Sequence, residues 1–499
     1  MADFTVYPLR WWVLLAFSLN NGANALLWIC FSSIVDATAA LFQVSSASVN
    51  GLSLAFLLLF LPGTVLTSFL VERYGLRATL IAGSALDCAG AWLRYGGALA
   101  APASRPLGFA LLMLGQCLAA LAQPSFTNLP ARLSADWFPA SQRDVATVVA
   151  SLSNALGVAA GSVVPTLAVA SAGDLAPFLL WQAVACTVFL AGTLAAVRSD
   201  RPPTPPSAAA AARLRAGSAE APLVPPLGEE EEEEEGGAAA RKLGGAAAAA
   251  AASAAAAPAP ASPRGVTLAT TLAGMWASYW GLLRQRNFQC LMMGFGSGLG
   301  IFNALLTLLS QAMAPCGYSN DFGGEAGGVL LVAGLAAAAG VGIVLERTRA
   351  YVTTLRVGIA AAGLSSVFFL SSLRRGADAA LLASCGVMGA CLIPLLPISL
   401  ENAAECTYPV PEEVSSGLLL IVGNYFGLLL VLLLQALIPA PSDSTCSTPA
   451  TPFAGVFVGT LLLAGLALML FKKDYRRQAA EQAGGTAPVA AGREALLGS

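Results

Sequence analysis

Three carboxylates stand inside or at the end of apolar runs of this chain: Asp87, Glu401 and Glu405. An ionised carboxyl at bilayer depth costs at least about 2.5 kcal/mol, so each needs a partner or a task. Asp87 has two: a proton site, or a hydrogen bond that ties its helix to a neighbour. Glu401 and Glu405 are four apart and share a helical face. They are expected to pair with cytosolic-side arginines such as Arg347 or Arg132 and so latch an inward gate. The second chemistry-bearing feature is the apolar run from Trp11 to Asp36, where Asn21, Asn24 and Trp28 recur at helical intervals. This polar seam on a greasy rod reads as pocket lining. Gln116, Gln123, Asn154, Asn303, Gln311 and Asn424 add amides inside other apolar runs. Such groups line cavities or bond helices together. The chain has no histidine, which removes imidazole zinc sites and histidine relays. With no nucleotide loop, nucleophile triad or metal cluster either, neither an enzyme nor a cofactor is expected.

The elements that must carry these residues follow from composition. Hydrophobic residues make up 57% of the 499 and charged residues 11%, the balance of a polytopic membrane protein. Apolar runs long enough to cross a bilayer follow the first at about 51–71, 78–97, 107–130, 145–170 and 174–197, then at 288–314, 326–345, 353–373, 378–400, 414–438 and 453–471. The first six form a half over residues 1–198, and the last six a half over 286–473. Between them, 199–265 is rich in Ala, Pro and Glu, including the run Glu229 to Glu235, and reads as a disordered cytosolic linker. Residues 266–285 read as a helix lying in the interface, because counting them as a span would carry the basic tail, 474–499, to the outside. With both termini cytosolic, most Arg and Lys fall inside, and Arg94, Arg105, Arg374 and Arg375 fall outside. Cys316 and Cys446 then lie in outer loops, where a disulfide between them could persist. There is no nucleic-acid signal and no sorting or lipidation signal, so plasma membrane and endomembrane both stay open.

Val71-Glu72-Arg73 closes the second span as Leu345-Glu346-Arg347 closes the eighth, an internal repeat. Glu72-Arg73-Tyr74-Gly75-Leu76-Arg77 resembles the Asp-Arg-x-Gly-Arg-Arg signature of the major facilitator superfamily, with Glu72 for the aspartate and Leu76 for one arginine. The fold expected is therefore all-α, a major facilitator fold with 12 transmembrane helices as two six-helix halves. Glu72, Arg73, Arg77, Glu346 and Arg347 join Glu401, Glu405 and Asp87 as gating and coupling candidates.

Further motifs resemble one family within it. They are Tyr7-Pro8-Leu9-Arg10-Trp11-Trp12-Val13, Asn24-Ala25-Leu26-Leu27-Trp28-Ile29, Gly83-Ser84-Ala85-Leu86-Asp87-Cys88, Ala122-Gln123-Pro124 with Trp137-Phe138, Ser153-Asn154-Ala155-Leu156-Gly157 and Glu401-Asn402-Ala403-Ala404-Glu405-Cys406. Together they are similar to solute carrier family 49, the feline leukaemia virus subgroup C receptor-related proteins, and to its third-member-like branch. The resemblance implies a carrier. Relatives are described as moving choline and ethanolamine, with haem export and pyridoxine transport also ascribed to the family. It also implies that Trp28 matches the ring that helps box a cation in choline-binding members. Two other cage positions differ, Ala155 replacing a glutamine and Asn303 a tyrosine, so an amide-rich pocket for a more hydrogen-bonding solute is expected. Its lining is read as Trp28, Asn24, Asn154, Asn303, Asn424 and Gln123. The chain is thus expected to be a monomer in the lipid bilayer that moves a small organic solute by alternating access. A haem exporter and a non-transporting receptor or sensor are the rivals.

Overall fold

A helix of 55 residues, Ser46–Ala100, is the longest element and shows how the chain solves the bilayer problem. At 1.5 Å per residue it would run roughly 80 Å, far more than a hydrocarbon core of about 30 Å. It breaks at Gly75, whose φ of 85° suits a residue without a Cβ. The result is two antiparallel spans, the second and the third. The carboxylate of Asp200 fills the corner where a Gly75 Cβ would stand, and its Oδ1 accepts from the Arg77 N–H at 2.7 Å, capping the third span.

The computed structural model describes residues 6–206, 267–348, 350–408, 410, 412–438, 446, 451–474 and 476. Among these, eleven helices are long and apolar enough to cross a membrane; the break at Gly75 makes twelve crossings of them. The N-terminal half contains Leu9–Ile29, the two spans of Ser46–Ala100, Arg105–Ala122, Ala140–Ala168 and Leu175–Ala196. The C-terminal half contains Arg286–Met313, Asn320–Thr348, Tyr351–Ser372, a tenth span broken near Pro394 into Asp378–Leu392 and Leu395–Thr407, then Glu412–Leu437 and Pro452–Leu470. Outward-facing apolar side chains such as Trp12, Leu156, Leu364, Leu462 and Leu470 are exposed. That surface suits lipid rather than water.

The two halves meet through polar contacts at one end. Asn50 donates to Oε1 of Gln311 at 3.0 Å and of Gln435 at 2.6 Å, and Gln311 donates back to Asn50 Oδ1 at 2.6 Å. Asn320 donates to Asp36 at 2.7 Å nearby. Cys316 and Cys446 form a disulfide, their Cα atoms 4.6 Å apart, which ties the loop after the seventh span to the loop before the twelfth.

At the opposite end the linker begins as structure rather than as free coil. Residues through 206 follow the first half, with Asp200 on the loop at Gly75 and Thr204 donating to the Tyr7 hydroxyl at 3.3 Å. The linker was expected to run over 199–265. The rest of it, the side chain of Glu346, Arg349 and the tail beyond 476 lie outside the described residues. Residues 266–285 contribute the helix Leu268–Leu283, started by a Thr267 and Thr270 capping box. It buries Thr271 and Leu282 and exposes Leu268, Leu272, Trp276 and Trp280.

Candidate functional site

Between the halves lies a cavity of about 260 Å³ to which both contribute. The first span supplies Asn21 and Trp28, the second Phe60, the fourth Gln123, and the fifth Asn154 and Ala155. From the other half come Phe295, Phe302 and Asn303 of the seventh span and Asn424 of the eleventh. No charged residue is among its lining residues.

Two amide pairs brace the cavity. Asn154 donates to Asn21 Oδ1 at 3.0 Å, and Asn21 donates onward to the Ala150 carbonyl at 2.8 Å. In the other half Asn303 donates to Asn424 Oδ1 at 3.4 Å, and Asn424 donates to the Leu420 carbonyl at 2.9 Å. Each pair joins the first helix of its half to the fifth. Two of the lining residues each carry a buried polar atom with no partner: the donor Nε1 of Trp28 and the acceptor Oε1 of Gln123. Both side chains are buried, so a solute that met them would satisfy groups the protein leaves open. The rings of Phe60, Phe295 and Phe302 were not singled out by sequence, since an aromatic in an apolar run looks like packing.

The structure brings Trp28, Gln123, Asn154, Asn303 and Asn424 together here, and Asn24 elsewhere. Asn24 is a correction to the expected lining. It is turned to the third and fourth spans, where it donates to Asp87 Oδ1 at 2.8 Å and to the Ala119 carbonyl at 2.9 Å. One step of three residues rotates a side chain about 60° around a helix, enough to leave the cavity. Gln116 is also buried away from it, bonded to the Leu27 carbonyl at 3.0 Å. Gln311 belongs to the inter-half contact at Asn50.

Asp87 and Arg94 are both buried in the third span, seven residues apart. Arg94 was expected on the outer side, near the end of the run 78–97. It is fully buried in the third span, 4.7 Å over the Phe31 ring, with Nη2 donating to Cys30 Sγ at 3.0 Å. Its contacts there are the Phe31 ring and the Cys30 sulfur.

The gating candidates disperse. Glu72 accepts from Thr271 of the helix Leu268–Leu283 at 2.8 Å, Arg73 lies 5.9 Å from the Tyr74 ring, and Arg77 Nε donates to the Val197 carbonyl at 2.9 Å. Arg347 is exposed. Arg132 sits 3.9 Å from Asp136, one turn along its own helix. Glu405 is buried, Glu401 half-buried, and neither is free. Two of the sequence motifs meet at this end: Arg10 lies over Trp11 at 5.4 Å and Phe138 at 5.9 Å and donates to Gln142 at 3.3 Å.

Two six-helix halves around a midplane cavity define a multi-pass membrane transporter of the major facilitator type, and the Major Facilitator Superfamily profile matches residues 14–411. Solved structures agree on the fold. The D-xylose-proton symporter aligns with a TM-score of 0.61 at 12% identity, over 93% of this chain and 98% of that one. A bacterial homolog of the human lysosomal transporter Spinster aligns with a TM-score of 0.57 at 15% identity, over 94% and 97%. Within that class the chain belongs to solute carrier family 49: it is 30% identical to solute carrier family 49 member A3 of Danio rerio, over 98% of this chain and 93% of the relative. It is also 28% identical to the choline/ethanolamine transporter FLVCR2 of Homo sapiens, over 95% of this chain and 79% of that one.

Proposed function

We propose that this transporter carries a small amino alcohol of the ethanolamine type through the central cavity by alternating access. The observation that carries the reading is the unpartnered pair in a charge-free wall, Trp28 Nε1 as donor and Gln123 Oε1 as acceptor. An ammonium N–H can give its proton to Gln123 while a hydroxyl oxygen accepts from Trp28. The faces of Trp28 and the nearby phenylalanines attract the positive charge without a carboxylate. Choline has no N–H for Gln123, and the two cage positions that differ, Ala155 and Asn303, both line the cavity. The size supports a small cargo, since pockets for drug-sized ligands run from about 300 to 1,000 Å³. A haem finds no Tyr, Met or Cys among the lining residues to ligate its iron.

The same reading sets both termini in the cytosol. Arg10, Arg73, Arg77, Arg356 and Lys472 lie at the linker end, as the positive-inside rule supports. The Asn50 contacts then close the outside, and the cavity belongs to an inward-facing state.

Uptake of labelled ethanolamine and choline by cells expressing the wild type, Trp28→Ala and Gln123→Leu tests this. Saturable ethanolamine uptake that falls about tenfold in both variants, as loss of roughly 1.4 kcal/mol implies, is the expected result. Choline uptake that matches ethanolamine and ignores Gln123→Leu would overturn it. Binding without flux would transfer the case to a receptor.

A further inference from the structure

A second cavity, about 460 Å³, lies within the N-terminal half between the first, fifth and sixth spans. It is open on its outer side, where Leu19, Leu156 and Trp181 form an exposed apolar rim. Its floor is smooth because Gly22, Ala23, Gly157 and Ala160 carry almost no side chain. At Gly157 even a Cβ would strike the Gly22 backbone.

One side chain on this wall does not fit an empty apolar groove. Gln182 is 3% exposed, and neither its Oε1 nor its Nε2 has a partner. The Ser18 hydroxyl of the first span, also a lining residue, is unpartnered too. Amides of that span behave otherwise: Asn20 donates to Thr193 at 2.9 Å and Asn21 to the Ala150 carbonyl at 2.8 Å. Hydrocarbon offers an open amide no bond, so Gln182 calls for a ligand that brings one.

Depth and shape select its class. Gln182 stands seven residues, roughly 11 Å, from the Leu175 end of its span, well inside the apolar layer. A charged headgroup does not reach that depth at tolerable cost. An acyl chain reaches it but brings no polar atom. We propose that the groove binds a sterol from the surrounding bilayer, its rigid rings on the glycine and alanine floor and its one hydroxyl bonded to Gln182, with Ser18 beside it. The hydroxyl would donate to Oε1 and accept from Nε2.

The test uses the full-length protein in lipid nanodiscs with a diazirine-bearing cholesterol analogue that keeps the 3-hydroxyl. Saturable labelling of peptides from the first, fifth or sixth span, competed by cholesterol and at least fivefold less by its 3α-hydroxy epimer, is the expected result. Labelling should fall at least fivefold in Gln182→Leu. Where that variant fails to fold, Ala160→Phe fills the floor instead and should abolish labelling. Unsaturable labelling, labelling unchanged in both variants, or equal competition by a saturated fatty acid would overturn the sterol assignment.

Discussion

The two halves share a plan and differ in what holds them. In the N-terminal half, buried directional bonds run from helix to helix: Asn20 to Thr193, Asn21 to the Ala150 carbonyl, Asn24 to Asp87, Gln116 to the Leu27 carbonyl and Arg94 to Cys30. Close glycine packing is common to both halves: Gly90 meets the Gly115 backbone and Gly157 the Gly22 backbone in the first, while Gly300 meets Phe426 and Leu430 and Gly389 faces the Leu330 backbone in the second. The difference teaches that similar folds, both packed by shape, can add more buried polar bonding in one half than in the other. Polar bonds penalise the loss of one partner heavily, whereas shape penalises added volume.

The sharpest way to break that comparison is at a buried bond. Asp87→Leu removes the acceptor of the 2.8 Å bond from Asn24 and leaves that amide facing an apolar side chain, so about 1–3 kcal/mol of stability should be lost, read as an early thermal transition in detergent. Asp87→Leu with Asn24→Leu should recover part of it. An unchanged transition in the single variant would remove this bond from the account of that half.

Next in size is volume. Gly389→Val should cost about 1–3 kcal/mol in the same assay, because the Leu330 backbone cannot give way. Gly363→Val, at a position facing open space, should stay within about 0.5 kcal/mol and calibrates the effect. Equal losses at the two glycines would deny shape its role in the C-terminal half.

The amide pairs come third, and they set half against half directly. Asn21→Leu removes one bond at 2.8 Å and one at 3.0 Å, while Asn424→Leu removes its bond to the Leu420 carbonyl and an inter-helix bond of 3.4 Å. At about 1 kcal/mol per good bond, the first loses two and the second one, so uptake should fall by roughly 30-fold in the first and by roughly fivefold in the second. The reverse order would place the cavity's firmer wall in the C-terminal half. Smallest is Thr271→Val, which loses the bond to Glu72. Its cost, about 1 kcal/mol or less, should change uptake by under about fivefold.

Much of this was legible because a bilayer demands long apolar runs, and the runs stand plainly in the sequence. Trp28 could be read as lining for a similar reason, since a seam at helical spacing in such a run wants a neighbour other than lipid, while Asn154 and Asn303 were expected there from the spans they stand on in the family architecture. The direction of Asn24 was not legible, since a seam two residues wide covers both the cavity and the third span. Nor were the Asn50 contacts, whose partners Gln311 and Gln435 lie 261 and 385 residues away. The capping carboxylate of Asp200 was hidden by the Pro-rich composition around it.

The Asn50 contacts also set a population. Three amide bonds at roughly 0.6–1 kcal/mol each in a membrane amount to about 2–3 kcal/mol held at one end of the molecule. Expressed as an equilibrium, that favours closure at that end by roughly 30- to 150-fold before other terms are counted. The empty carrier therefore waits mostly in one state, and a second one becomes common only when bound solute repays the difference. An Asn50→Ala carrier would spend more of its time open to the other side, and its resting occupancy, not its affinity, would be what changed.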